Sequence, residues 1–450
     1  MNRKTIRNPR VTLMRNILRA CFLCIALVSA VAGQTRADLD AYLKRPEPVY
    51  RWEKTGEKTV DGCKIYDLHL VSQTWQGIVW EHHLQIYRTA NISHPNFCAL
   101  LNTGGSGGKG DETLGMMAAK STGGVFAILF NIPNQPLYGG KSEDALIAYT
   151  WQKFLETGDE TWPLHFPMAK SVIKAMDAVQ AFTKQSGDQE VTSFLITGAS
   201  KRGWTTWLAG ASRDKRIVAI APMVIDTLNA AVQIPHQLEA YGVPSEQIKD
   251  YTNANLLDIA GTPRGKRLLE IEDPYSYRER LSLPKLIVSA TNDRYWAQDA
   301  VNLYWDGLPG PKWMLYNPNV GHSMAAMDAQ LRIVSTVGAF AASVSGGPAL
   351  PKMSWKYSDS ATATRLLVTS DIAPFAAKLY RCTSKTRDFR DSPWTAMPMS
   401  INGSVASGDL DRPASGFAAT YAELTYNVGG KSYALTSQIH ILAAAGSSSK

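Results

Sequence analysis

The chain has 450 residues, 45% of them hydrophobic and 19% charged, which is enough apolar material for a large core and a two-domain globular protein. That composition excludes disordered and collagen-like classes, and no internal period of solenoid or propeller length is present. The formal charge of +8 comes with no basic stripe and no nucleic-acid motif, so nucleic-acid binding is not expected.

The first residues carry Arg3, Lys4, Arg7, Arg10, Arg15 and Arg19 with no acid, and an apolar run follows from Ala20 to Ala32. A basic start, an apolar segment and the small-residue site Ala30-Val31-Ala32 form a secretory signal over residues 1–32. The apolar run is shorter than the roughly 20 residues of a spanning helix, which favours cleavage before Gly33 over a retained anchor. Stable membrane insertion is therefore not expected of the mature chain. Cleavage removes six of the 47 basic residues and none of the 39 acids, so the net charge falls from +8 to +2 (41 against 39). An exported protein, periplasmic or secreted, follows. Cys63, Cys98 and Cys382 remain in it; Cys63 and Cys98 either pair in an oxidising compartment or stay as buried thiols, and the sequence does not choose between them.

In chain order, Lys64–Ser72 and Ile78–Tyr87 alternate apolar and polar residues, the pattern of a half-buried β-hairpin. Short continuous apolar runs come next, at Phe97–Leu101, Val125–Phe130, Phe194–Thr197, Ile217–Val224, Leu286–Ala290 and Trp313–Tyr316. Runs of this kind suit strands buried on both faces of a parallel sheet. Helical stretches such as Asp144–Leu155 and Pro167–Thr183 separate them, and the alternation predicts an α/β, doubly wound, three-layer sandwich. Near Ser343–Pro351 the composition turns to Gly, Ser and Pro, and strand-like runs follow at Arg365–Ser370, Phe375–Cys382, Gly416–Tyr426 and Tyr433–Leu442. The expected organisation is an α/β domain over residues 33–345 and a small immunoglobulin-like β-sandwich over 352–450.

The strongest chemical signal is Gly198-Ala-Ser200 at the end of an apolar run and the start of a helical one, the form of a nucleophile elbow. A serine on such a strained turn needs a small residue two positions earlier, and Gly198 supplies it. The second glycine usually lies two residues after the serine; here Arg202 holds that place and the glycine is Gly203. The helix start favours negative charge, which makes the Lys201 N–H one oxyanion donor. The loop Asn102-Thr-Gly104-Gly105-Ser-Gly107-Gly108 follows an earlier strand and is the expected source of a second, at Gly104 or Gly105. It lacks the Gly-Lys-Ser/Thr ending of a phosphate-binding loop.

His322, on a loop after the last apolar run, is the expected general base, and Asp293, just past the preceding run, the expected acid. Asp226 and Asp299 are the weaker candidates for the acid. This chemistry needs no metal and no organic cofactor. Trp151, Trp162, Trp204 and Trp207 are candidates for pocket or core, with Trp207 assigned to core.

Four stretches, Asn131-Ile-Pro-Asn-Gln-Pro-Leu137, Glu143-Asp-Ala-Leu-Ile-Ala-Tyr-Thr-Trp151, Trp162-Pro-Leu-His-Phe-Pro-Met-Ala-Lys170 and Gly198-Ala-Ser-Lys-Arg-Gly-Trp204, resemble the PhoPQ-activated pathogenicity-related protein family. The resemblance runs from about Leu39 to the C-terminus. It implies an α/β-hydrolase, exported in bacterial members and secreted in an amoebal one, with a catalytic region similar to that of dipeptidyl peptidases. A peptide substrate follows from that similarity; an ester of a carbohydrate or lipid, or a non-catalytic signalling or envelope-stress role, are the alternatives. A peptidase acting at a free amino terminus needs a carboxylate for the ammonium, which Glu143 and Asp144 offer. The same two acids after Ser142 also suit a helix N-terminus, the favoured reading. Arg202 either meets an anionic group of substrate or pairs with a buried carboxylate.

Overall fold

Nine strands build the central sheet, and the structure, a computed structural model, describes residues 38–445. The predicted signal, 1–32, lies outside the described residues. Strands β1 (Arg51–Val60), β2 (Cys63–Trp75) and β3 (Ile78–Thr89) are antiparallel neighbours. They are followed by β4 (His94–Asn102), β5 (Gly124–Leu129), β6 (Ser193–Ala199), β7 (Ile217–Met223), β8 (Lys285–Ala290) and β9 (Lys312–Asn317). The spatial order is β1-β2-β3-β5-β4-β6-β7-β8-β9, with every pair from β5 and β4 onward parallel.

Each expected apolar run is one of these parallel strands, and β5 and β8 are buried along their whole length, as strands covered on both faces must be. The expected hairpin is β2 and β3, closed by Gln76 and Gly77, both at positive φ (48° and 76°). Strand β1 is an addition to the expected set. Its sequence, mostly charged and exposed, offers no apolar period, but the turn that joins it to β2 is Asp61-Gly62, with φ 47° and 72°, the strongest short-range hairpin signal.

Helices cover both faces. The flanking helices include α1 (Leu39–Lys44), α2 (Lys109–Thr122), α3 (Glu143–Thr157), α4 (His165–Gln185) and α5 (Lys201–Gly210). Further along are α6 (Ala230–Tyr241), α7 (Lys249–Asn253), α8 (Pro263–Glu272) and α9 (Met327–Val344). Helices α2 and α9 pack together, as do α4 and α5. The segment that carries α6 to α8 is inserted between β7 and β8.

Beyond α9, strands β10 to β18 form two antiparallel sheets. One has the order β10 (Met353–Asp359), β11 (Ala363–Ser370), β15 (Val405–Asp411), β14 (Ser400–Asn402). The other runs β13 (Thr395–Pro398), β12 (Ala376–Ser384), β16 (Phe417–Val428), β17 (Lys431–Thr436), with β18 (His440–Ala443) also paired to β16. The single run expected over Tyr433–Leu442 is thus two strands. Both sheets share one hydrophobic core with the α/β layers, where Leu379 and Leu424 pack in the same cluster as Leu315 and Phe340, and the chain from Leu39 on is one compact unit.

Cys63, Cys98 and Cys382 are free and buried. Two strands, β3 and β5, separate β2 from β4, which at about 4.8 Å per strand spacing puts Cys63 and Cys98 well beyond the ~7 Å reach of a disulfide. Among the described residues no helix is long and apolar enough to cross a membrane.

Candidate active site

Strand β6 ends at Ala199 and α5 begins at Lys201, leaving Ser200 alone on the turn with φ 58° and ψ −126°. That combination is the first central position of a type II′ turn, normally glycine territory. Two backbone hydrogen bonds hold it: Ser200 N–H donates to Met223 O at 2.9 Å, and Trp204 N–H donates to Ser200 O at 2.9 Å.

The unusual glycine spacing now has a physical reason. A Cβ on Gly198 would lie 2.6 Å from Arg202 O, and one on Gly203 would lie 2.8 Å from Met223 O and 2.7 Å from Ile225 Cγ2. Both backbone approaches require glycine. At position 202 the side chain instead leaves the elbow and crosses the loop after β4, where a Cβ on Gly104 would sit 1.9 Å from Arg202 Nη2. Gly104 is therefore needed to make room for the guanidinium. Arg202 donates through Nε to Ile132 O and through Nη1 and Nη2 to the two carboxylate oxygens of Glu143 at 2.7 and 2.6 Å.

His322 follows β9 and faces the elbow. Its Nε2 is 2.8 Å from Ser200 Oγ, and its Nδ1 is 2.7 Å from Asp293 Oδ2. Those partners fit the tautomer in which Nδ1–H donates to the carboxylate and Nε2 accepts from the hydroxyl. Asp293 Oδ1 accepts from Tyr295 N–H at 2.8 Å, and the Tyr295 ring lies 4.2 Å from the imidazole, centroid to centroid. Asp293 is thus held by backbone and His322 by a neighbouring ring.

The other acid candidates lie elsewhere. Asp226 accepts from Tyr304 and Ser289 hydroxyls inside the core. Burial, reinforced by the nearby charge of Asp293, pushes its carboxyl up to about 6 against those bonds. Asp299 pairs with His236 at 2.7 Å and Arg387 at 3.0 Å.

Main-chain groups of residues 390–394 tie both loops down through asparagine side chains. Asn292, beside the acid, donates to Arg390 O at 3.1 Å and Ser392 O at 2.9 Å. Asn319, three residues before the base, donates to Trp394 O at 2.9 Å and accepts from Trp394 N–H at 2.7 Å.

For the oxyanion, Lys201 opens α5, so its N–H belongs to the first turn, where no intrahelical acceptor exists. The loop at Gly104 and Gly105 is pinned across β5: Asn131 N–H donates to Gly105 O at 2.9 Å and Ile132 N–H to Thr103 O at 3.0 Å. Gly105 N–H is directed at Thr103 Oγ1, 3.4 Å away.

Glu143 and Asp144 share Lys201, whose Nζ is 3.5 Å from the first and 2.9 Å from the second, but differ in their other partners. Glu143 turns back on Arg202 and Gln135. Burial disfavours its charge, but the hydrogen bonds and charge of Arg202 outweigh burial and hold the carboxyl at about 2. Ser142 is the N-cap position of α3 and both acids lie in its first turn, as expected of a helix start, although the Ser142 side chain makes no cap hydrogen bond; the ion pair of Glu143 with Arg202 comes in addition. Asp144 does reach the cavity, where it accepts from Tyr251 Oη (3.0 Å) and Tyr295 Oη (3.1 Å) and pairs with Lys201 Nζ at 2.9 Å. Trp151 and Trp204 line the cavity, while Trp207 is wholly buried core and Trp162 stacks with Trp75 and Tyr138.

A cavity of about 520 Å³ opens at Ser200 and His322, within the range of small-molecule sites. Most of its far wall comes from the β7–β8 insertion, including Ile234, Leu238, Ile248 and Leu256, residues with no prior signal beyond the length of the strand-free gap between Val224 and Leu286. Among the described residues no group of three or more His, Cys, Asp or Glu could hold a metal.

A sheet of this order with a strand-to-helix serine turn and a histidine after the last strand defines the α/β-hydrolase fold. The chain belongs to the PhoPQ-activated pathogenicity-related protein family, whose profile matches residues 39–390. It is 32% identical over 394 residues to autocrine proliferation repressor protein A of Dictyostelium discoideum, covering 82% of this chain and 79% of that one. Acetyl xylan esterase 1 from Thermoanaerobacterium sp. JW/SL YS485 superposes with a TM-score of 0.46 at 16% identity, over 65% of this chain and 93% of that chain. An S-formylglutathione hydrolase from Agrobacterium tumefaciens does so with a TM-score of 0.42 at 13% identity, over 64% and 98%. At those identities the likeness concerns the fold alone.

Proposed function

We propose that this protein is a serine hydrolase that works through an acyl-enzyme, with Ser200 as nucleophile, His322 as general base and Asp293 as the acid that orients it. The observation that carries the reading is the unbroken hydrogen-bond relay from Ser200 Oγ through His322 to Asp293, at the mouth of a cavity.

In the reaction His322 Nε2 takes the Ser200 proton as Oγ attacks a carbonyl carbon, and Asp293 stabilises the imidazolium. The Lys201 N–H, at the positive end of α5, holds the oxyanion, with the 104–105 loop as the second donor. His322 then protonates the leaving group, and water activated by the same imidazole releases the acid.

Labelling with a fluorophosphonate tests this directly. The full chain is expected to label at Ser200, and Ser200→Ala to remain unlabelled while keeping the same circular dichroism. A folded wild-type chain that does not label overturns the proposal. The basic and apolar leader supports export as part of the same reading; a mature N-terminus at Gly33 in the cell envelope or medium is the expected result, and an intact Met1 in the cytosol the contrary one.

A further inference from the structure

We infer that the cavity takes an uncharged, apolar acyl group of medium length, so that the substrate is an ester or an N-acyl compound and not a peptide with a free amino terminus. The inference rests on the reading of Ser200 just given and deepens it.

Helix α6 carries the argument. A helix on a protein surface normally buries its apolar stripe and exposes its polar one. Here Gln233 and Gln237 are buried, at 3% and 2% exposure, while Val232 and Leu238 are 41% and 39% exposed. The inversion is stable because each glutamine satisfies main-chain groups that would otherwise be buried without partners. Gln233 Nε2 donates to Leu228 O at 3.0 Å and Ala300 O at 3.2 Å. Gln237 Nε2 donates to Tyr295 O at 2.7 Å, and its Oε1 accepts from Ser245 N–H at 2.9 Å. With its polar side anchored inward, α6 lends Ile234, Pro235 and Leu238 to the cavity. Trp151, Trp204 and Ile248 face the same space.

Charge points the same way. Asp144 already holds Lys201 and two tyrosine hydroxyls, and the Lys201 side chain is 9% exposed. A substrate ammonium would have to displace that buried cation, and Glu143 is itself held by Arg202 at 2.6 Å and by the same Lys201 at 3.5 Å. Asp258 also borders the cavity but is exposed, where water and salt screen it. An apolar chain loses nothing on entering such a wall, and the buried carboxylate that a free amine would seek, Asp144, already holds a cation.

The test is a p-nitrophenyl ester series on the full chain, from acetate through butyrate and hexanoate to octanoate. Beside it run a dipeptide p-nitroanilide with a free amine and the same compound N-acylated. From the transfer free energy of a buried methylene, kcat/KM is expected to rise about threefold per added CH₂, and the N-acyl amide to outrun the free amine. Leu238→Asp, on a half-exposed position, is expected to cut the octanoate-to-acetate ratio by about tenfold or more. A flat or falling series, or preference for the free amine, overturns the inference while leaving the catalytic reading intact. Octanol binding to Ser200→Ala, read by tryptophan fluorescence, separates the two in the other direction: binding without any wild-type turnover keeps the cavity assignment and removes the catalytic one, and no binding removes the cavity assignment.

Discussion

Replacing Ser200 by glycine and by alanine separates the strain of the elbow from its chemistry. With φ 58° and ψ −126°, Ser200 occupies a region that costs a residue with a Cβ on the order of 1–3 kcal/mol. Alanine keeps the Cβ and therefore the strain; glycine releases it, less about 0.5–1 kcal/mol for the greater freedom of glycine in the unfolded chain. Both lose the Oγ contact with His322, so that loss cancels between them. The glycine variant is expected to be more stable than the alanine variant by about 0.5–2 kcal/mol. In a unit of this size that is a rise in Tm of roughly 0.5–2.5 °C, readable by scanning calorimetry or by urea midpoints at constant m. Neither variant should label with phosphonate. An alanine variant as stable as the glycine variant, or more so, would show that the turn is unstrained and that its shape has another cause.

Asp293→Asn is expected to lower kcat by roughly 10³–10⁴-fold with little change in KM, because the amide stabilises the wrong imidazole tautomer; ester hydrolysis assays check it. Gly203→Ala forces a methyl against Met223 O and Ile225, with an expected loss of about 1–3 kcal/mol in urea unfolding. Glu143 titrates near 2 in the fold, below its ordinary 4.5, so its pairing with Arg202 supports the fold fully above about pH 4.5 and fades as pH falls towards 2. Arg202→Gln should flatten that acid limb in urea midpoints taken from pH 5 downwards. Asp226 runs oppositely: its carboxyl is raised to about 6 from 3.8, so the fold gains stability as pH drops from above 6 to below 4. Asp226→Asn is therefore expected to exceed the wild type in stability at pH 7.5 and to lose the advantage by pH 4.

The parallel strands were legible because burial on both faces writes itself as short unbroken apolar runs, and the order of those runs placed Asp293 and His322 on the loops that meet Ser200. Ser200 was legible from the glycine before it. What escaped the sequence depends on contacts between distant segments. The room that Gly104 leaves for the Arg202 guanidinium and the pairing of Glu143 with that guanidinium join segments far apart in the chain, which no local pattern announces. Strand β1 escaped because this mostly exposed edge strand covers the core only at Trp52 and Val60, too sparsely to show a period. The cavity wall was hidden more thoroughly, since α6 places its glutamines inward and so inverts the periodicity by which a helix is oriented from sequence.

The ties from Asn292 and Asn319 to residues 390–394 bear on the order in which the protein comes into being. During synthesis the elbow, the acid and the base all leave the ribosome before the segment that steadies two of them. A growing chain can thus fold its serine turn early, yet it lacks the ties that steady the acid and base loops until nearly nine-tenths of its length is made. A premature stop ahead of Arg390, or a protease that trims the C-terminal sheets, would remove these ties together with part of the shared core, so on the proposed reading the alignment of Asp293 and His322 is lost along with the packing beneath them.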